Sequence, residues 1–197
     1  LEVGISLSPS FKAVRELPIL LDDSTFSPLI KKLLMDLHAH FSYLDDRIKA
    51  LDKEVHCQAA SDDLASRLMS IPCIGPITAT ALAAELGDGK QFRCGRDYSA
   101  SIGLVPRQHT TGGKPCLGRI SKRGDGNQRR LLIQCVRVYL MGLQRQTGKL
   151  ADWVKDLLRA HHPNLVVCAI ANKLARIAWA ITAHHSEFDA GASAMNA

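Results

Sequence analysis

IPCIGPITATALAAELGDG (71–89) and GLVPRQHTTGGKPCLGRISKRGDGNQRR (103–130) are the stretches whose reading decides the fold. In the first, Gly75 can take the dihedrals of a tight hairpin and Pro76 is pre-set for a first helical position. The Ala-rich run to Leu86 then forms helix until Gly87 stops it. Just upstream, SDDLASRLMS (61–70) predicts another helix, with Ser61 as N-cap and two acids at the positive end of the helix dipole. The pair reads as a helix-hairpin-helix-like motif, and Gly75, Pro76 and Thr78 mark a helix start whose free N–H groups could take one phosphate. In the second stretch, Gly103, Pro106, Gly112, Gly113, Pro115, Gly118 and Gly124 interrupt too often for a helix, which predicts an exposed loop or short hairpin.

Charge is concentrated in the same place. Between Lys90 and Arg137 there are eleven Lys/Arg and two acids, a local balance of +9, while the rest of the chain sums to −3. A field this localised favours polyanions and makes their binding salt-dependent. Gly-Gly and Gly-x-Gly spacing inside the run lets main-chain N–H groups approach phosphate beside the cations, which favours a ligand over a merely solvated face.

At 197 residues and 46% hydrophobic, the chain is long enough and apolar enough to bury a core. Leu and Ala dominate and aromatics make up 5%, a composition that leans helical, with Trp153 and Trp179 expected as core anchors. The six cysteines form no CxxC and no zinc-spaced Cys/His set. With no signal peptide evident, they read as reduced thiols in a cytoplasmic protein. No uninterrupted apolar run reaches the roughly 18 residues of a membrane span.

In chain order, residues 1–28 read as a linker, with a short helix near Phe11–Leu17 that Pro18 ends. Residues 29–58 read as one long helix. Ile30, Leu37, Leu44 and Leu51 recur every seven residues, and Leu34, Phe41, Ile48 and Val55 fall four after each, an a/d seam fit for a coiled coil or an antiparallel hairpin. Residues 61–186 read as a compact helical domain, with helices at Gly95–Ile102, Asn127–Leu143, Leu150–Ala160 and Leu165–Ala183. Arg129, Arg130 and Arg137 are expected near one face, Asn164 as an N-cap, and Val167, Ile170, Leu174, Ile177, Ala178 and Ile181 as a buried stripe. Lys173 and Arg176 are expected opposite that stripe or toward phosphate. Residues 187–197 read as a disordered tail.

Thr110 and Thr111, beside His109 in the cationic loop, are candidate nucleophiles toward a phosphodiester, because adjacent guanidinium and ammonium groups would stabilise a five-coordinate transition state. Threonines that bond their own backbone are the commoner reading of such a loop, and both readings stand at this level.

IPCIGPITATALAAELGDGKQF, GLVPRQHTTGGKPCLGRISKRGD, RRLLI and ANKLARIAWA resemble the carboxy-terminal transposase domain of the bacterial insertion sequence 110 family, in its 1111-like branch. The resemblance extends through the heptad helix to LEVGI at the start. It implies a DNA recombinase with a DEDD nuclease-like domain ahead of Leu1, magnesium held by that domain, a serine nucleophile, a structured guide RNA that pairs with DNA, and oligomers that share sites between subunits. The family's serine falls on Thr110 or Thr111, with Ser121 the nearest serine, and a hairpin glycine of the family falls on Cys73.

The sequence therefore predicts a mainly α protein: a long coiled-coil-like helix, then a compact helical domain with a helix-hairpin-helix-like motif and a Gly-rich basic loop. No metal or other cofactor is assigned to these residues themselves. Thr110 or Thr111 would be the nucleophile. Arg107, Gly112, Gly113, Lys114, Arg119, Ser121, Lys122, Arg123, Arg129 and Arg130 would hold nucleic acid, with Gly75, Pro76 and Thr78 at a second point on its backbone. The expected partners are DNA, a guide RNA and further copies joined through 29–58, in the bacterial cytoplasm at the nucleoid. Two other readings stay open: a catalytically dead DNA- or RNA-binding module, and a coiled-coil self-association scaffold.

Overall fold

The computed structural model describes residues 10–22, 26–111 and 113–189. Among them the chain is mainly α-helical. In order come α1 (Phe11–Asp22), α2 (Pro28–Ser61), α3 (Asp63–Met69), α4 (Pro76–Leu86), α5 (Gly95–Ser101), β1 (Pro106–Thr111), β2 (Lys114–Ile120), α6 (Gly126–Met141), a single 3-10 turn (Leu143–Arg145), α7 (Lys149–Ala160) and α8 (Pro163–His184). The chain divides into two compact units inside α2, between Glu54 and Val55.

In the first unit, α1 runs through Pro18 instead of ending there. A proline inside a helix costs about 3 kcal/mol. The helix keeps Ala13 and Leu21 buried, sets Phe11 5.8 Å from the Phe41 ring, and pairs Arg15 with Asp45 at 3.2 Å. α2 continues for 34 residues. Its seam residues Ile30, Leu37, Leu44, Ile48 and Leu51 are all exposed in the single chain.

In the second unit, α2 runs on through Ser61, so the cap of α3 falls to the next residue. Asp62 Oδ1 accepts the Ala65 N–H at 2.8 Å, and the carboxylate adds a negative charge at the positive helix end. Likewise His162, not Asn164, caps α8: its Nδ1 accepts the Asn164 N–H at 3.2 Å, and Pro163 takes the first turn.

The core is built on α8. Val166, Val167, Ile170, Ala171, Leu174, Ala175, Ala178 and Ile181 are all buried, while Ile177 is only half-buried. This helix is long and apolar enough to pass as a membrane span by composition, but Asn172, Lys173 and Arg176 interrupt it and more than half of it is covered by its neighbours. Gly95 lets α5 approach it closely, since a Cβ there would stand 3.0 Å from the Arg176 carbonyl oxygen. Trp153 and Trp179 are half-buried against this core, and Trp179 Nε1 donates to the Gly89 carbonyl at 3.0 Å. Lys173 lies inward, 4.5 Å from the Trp153 ring centroid. Burial, then nearby Arg176, hold its pKa below the usual lysine range. It is therefore a packing residue with a cation–π contact and does not reach outward to phosphate.

All six cysteines are free. Glu187–Asp189 are described, with the Phe188 N–H donating to Ser70 Oγ at 3.1 Å. The remaining tail, 190–197, lies outside the described residues, as do Leu1–Pro9 and Asp23–Thr25.

One polar pair crosses the core. The Tyr98 hydroxyl donates to Gln128 Oε1 at 2.7 Å with both residues buried, tying α5 to the start of α6, and burial raises the Tyr98 pKa. Replacing Tyr98 by Phe strands the Gln128 oxygen without a donor. Denaturant unfolding of Tyr98→Phe is expected to show a loss of about 1–3 kcal/mol, whereas a loss below about 0.5 kcal/mol would mean that water replaces the phenol.

Candidate nucleic-acid interface

The Gly-rich basic stretch folds as a two-stranded antiparallel ribbon. Its pairs are Pro106 with Ile120, Gln108 with Leu117, His109 with Cys116, Thr110 with Pro115 and Thr111 with Lys114. Between the first two pairs, one residue of β1, Arg107, faces two of β2, Gly118 and Arg119. Such a bulge bends and twists a strand, and here it falls among the cations. Of the ribbon side chains described, only Ile120 packs against the core. Arg107, Gln108, His109, Cys116, Leu117 and Arg119 are all exposed.

An isolated two-stranded ribbon is marginal in water, so its geometry is set at its foot. There Ser121 N–H donates to the Val105 carbonyl at 2.8 Å and Lys122 N–H to the Gly103 carbonyl at 3.1 Å. Gly103 and Gly124 have φ of 72° and 89°, and Lys122 itself takes a left-handed φ of 55°. A Cβ on Gly124 would overlap the Ser101 carbonyl, and one on Gly103 would overlap the backbone of Arg123. Arg129 completes the clamp: its Nη1 donates to the Ile102 carbonyl at 2.9 Å and, at 3.4 Å, to the Asp125 carbonyl.

The two acids of the basic region are both occupied. Asp125 caps α6, accepting the Asn127 and Gln128 N–H groups at 2.6 and 3.2 Å, and Asp97 pairs with Arg93 at 3.0 Å. Among the described residues, Arg107, Arg119, Lys122, Arg123, Arg130 and Arg137 make no ion pair with an acid. Arg107 Nη2 donates to the Ser121 carbonyl at 3.4 Å, and Arg130 Nη2 to Asn127 Oδ1 at 2.8 Å. An open groove of about 400 Å³ is lined by Arg107, Gln108, His109, Ser121 and Arg123. Burial pushes the Cys168 thiol up, and the charges of Arg137 and Lys122 pull it the other way.

The structure sorts the residues proposed from sequence. Arg107, Arg119, Lys122 and Arg123 come together on the ribbon and its foot, with Ser121 half-buried beneath them. Arg130 and Arg137, seven residues apart, share an exposed face of α6. Arg129 does not join them, because its guanidinium is spent on the carbonyls of the clamp. The backbones of Thr110, Thr111 and Lys114 lie in the ribbon, Gly113 follows with φ of 77°, and Gly112 lies outside the described residues.

At the start of α4, Gly75 is exposed as N-cap and Pro76 takes the first turn. Thr78 is buried, its hydroxyl 3.2 Å from Cys135 Sγ, so its side chain cannot reach a ligand from there. Cys73 adopts φ of 71°, the left-handed region that favours the glycine expected at this place. That helix start meets α6 beside Cys135, whereas the ribbon foot meets it at Arg129, six residues earlier, or about 9 Å along the helix. No group of three or more His, Cys, Asp or Glu fit for a metal occurs among the described residues.

What the fold and site define is a helical domain that projects an unneutralised cationic ribbon. A family model described as "Transposase IS116/IS110/IS902 family" matches residues 65–150, which span most of α3, then α4, α5, the ribbon and α6. The chain is 48% identical over 188 residues to the transposase for insertion sequence element IS1328 of Yersinia enterocolitica, covering 95% of this chain and 56% of that one. It is 41% identical over 160 residues to a probable family 20 transposase of Pseudomonas aeruginosa, covering 81% and 47%. It is 35% identical over 194 residues to the transposase for insertion sequence element IS1111A of Coxiella burnetii, covering 97% and 53%. The chain belongs to the IS116/IS110/IS902 transposase family, and it spans about half the length of these curated relatives.

Two outcomes check this geometry. Gly124→Ala or Gly103→Ala must open the clamp and is expected to cost several kcal/mol, at least about 3; a melting temperature within a few degrees of the parent would show that the foot is loose. Burial pushes the Cys73 thiol up to about 12, leaving about one thiolate in ten thousand at pH 8. Iodoacetamide at that pH is therefore expected to alkylate exposed Cys57 and Cys116 and to spare Cys73 until the protein is unfolded. Rapid native labelling of Cys73 by mass spectrometry would contradict the packing of the hairpin.

Proposed function

We propose that this chain is the strand-transfer domain of a DNA transposase, and that it grips DNA with the ribbon, its foot and the exposed face of α6. The observation that carries the reading is the set of six cations without an acid partner, gathered around a clamped ribbon in a member of a transposase family. Here both local acids are committed elsewhere, so the cationic field remains open to phosphate.

The chemistry is a transesterification. A threonine Oγ, from Thr110 or Thr111, attacks a DNA phosphorus, forms a P–Oγ ester and loses its proton, while the bridging oxygen of the strand leaves as a hydroxyl and takes a proton up. Attack on that ester by the hydroxyl of another strand end reverses the exchange and frees the threonine. Arg107, Arg119 and Lys114 would stabilise the charge on the equatorial oxygens. A threonine methyl restricts χ1 and crowds in-line approach, so serine at the same place is the better nucleophile. Gly75 and the first-turn residues that follow Pro76, which itself has no N–H, would offer the free backbone N–H groups at the start of α4 to a second point on the strand.

The longer assembly follows from the same reading. A structured RNA that pairs with the DNA would supply sequence choice. A second copy would dock along the exposed Ile30, Leu37, Leu44 and Leu51 seam, whose heptad spacing fits another helix of the same pattern. Magnesium would be held by residues outside this chain.

A duplex from the ends of the element, carrying a bridging phosphorothiolate at the joint, tests the chemistry because its thiolate leaves without acid catalysis. A protein–DNA band that survives denaturation is expected, lost in the double variant Thr110→Ala/Thr111→Ala, kept in Ser121→Ala, and stronger in a Thr→Ser variant at the reacting position. No band with the parent chain, or a band lost only in Ser121→Ala, contradicts this assignment.

A further inference from the structure

We propose that the ribbon, β1 and β2 with its exposed Leu117, enters the wide major groove of double-stranded DNA, so that the partner at this surface is a B-form duplex and not a single strand. The proposal rests on the polyanion-binding reading above and adds what form the polyanion takes.

Three features of the second unit point to a duplex. The first is shape. Two paired strands lie about 4.8 Å apart, and six residues extend about 20 Å. With side chains on both faces, this is a blade that the roughly 12 Å wide major groove of B-DNA admits, whereas the narrow, deep groove of A-form RNA does not. Apart from Ile120 at its foot, the ribbon's described side chains are exposed on both faces, and from Tyr98 to Gly124 the sequence holds no acid to repel phosphates.

The second feature is the lack of stacking platforms. Proteins that grip unpaired strands lay bases on aromatic rings. Among the described residues from Val55 onward, every Phe, Tyr and Trp is buried or half-buried: Phe92, Tyr98, Tyr139, Trp153, Trp179 and Phe188. No described Phe, Tyr or Trp of this unit stands exposed to a splayed base, and the ring that the ribbon itself carries is the small imidazole of His109.

The third feature is rigidity at the root. The Gly103–Gly124 crossing and the Arg129 bond to Ile102 fix the direction in which the ribbon leaves the domain. Lys122 and Arg123 lie at that root, where the phosphates at the groove's edge would lie. Leu117 is 64% exposed at the ribbon's middle, and His109 and Arg119 are exposed beside it. An apolar side chain beside an exposed guanidinium suits the thymine methyls and base edges of a groove floor.

The experiment compares the full chain on four probes at one salt concentration: a DNA duplex, its separated strand, the same duplex with glucosylated 5-hydroxymethylcytosine filling the major groove, and the plain duplex with netropsin in the minor groove. Tightest binding to the plain duplex is expected, with affinity about tenfold weaker or worse on the single strand and on the glucosylated duplex, and unchanged by netropsin. The variant Leu117→Asp/Arg119→Glu, at two exposed positions, should keep its helical circular dichroism and lose the difference between plain and glucosylated DNA. Equal affinity for plain and glucosylated duplex, displacement by netropsin, or preference for the single strand overturns the groove proposal and leaves polyanion binding standing. Failure to bind any of the four at low salt removes both.

Discussion

The close crossing of two backbone segments, Ile102–Val105 and Ser121–Gly124, is the constraint on which the rest of the site depends. Neither strand of the ribbon has a hydrophobic face to bury, so its pairing alone would not hold it in place. Two glycines in left-handed conformations allow the segments to approach, backbone hydrogen bonds from Ser121 and Lys122 close the crossing, and Arg129 locks it to α6. The left-handed conformation of Lys122 is part of the same device: it is held by the bond its N–H makes to Gly103.

The clamp in turn leans on the core. α5 ends at Ser101, just before the crossing, and sits on α8 through Gly95; its Tyr98 hydrogen-bonds Gln128 at the start of α6. Thus both helices that hold the ribbon's foot are packed on one central helix and joined by one buried polar pair. The electrostatics follow from the same arrangement. Asp125, the acid nearest the foot, is turned to the α6 N–H groups, and this leaves Lys122, Arg123 and Arg130 without a counter-charge.

Much of this could be read from the residues. Pro76 after Gly75 marked the start of α4 and Gly87 its end, the heptad spacing gave α2, and the Gly/Pro punctuation marked an exposed hairpin among the cations. What could not be read has identifiable causes. The strands lacked apolar alternation because neither face is buried, so no period-two signal existed to find. The inward turn of the Thr78 side chain is hidden in the sequence because α4 is apolar nearly all round and its inner face carries no distinct stripe. Arg129 looked like its neighbour Arg130, and only the fold brings the Ile102 carbonyl to it from 27 residues away. Lys173 read as a surface charge for the same reason, since Trp153 lies on a different helix. Caps slipped by a residue or two where Ser61 and Asp62, or His162 and Asn164, were both able to serve.

The central claim is that the cations around the clamped ribbon are kept free for phosphate. Measuring the affinity of the chain for a DNA duplex across a series of salt concentrations tests it most directly. If Arg107, Arg119, Lys122, Arg123, Arg130 and Arg137 each meet a phosphate, a plot of log affinity against log salt should fall with a slope of about −5. A slope between zero and about −1 would mean that these side chains do not hold the strand, and would contradict the account at its root.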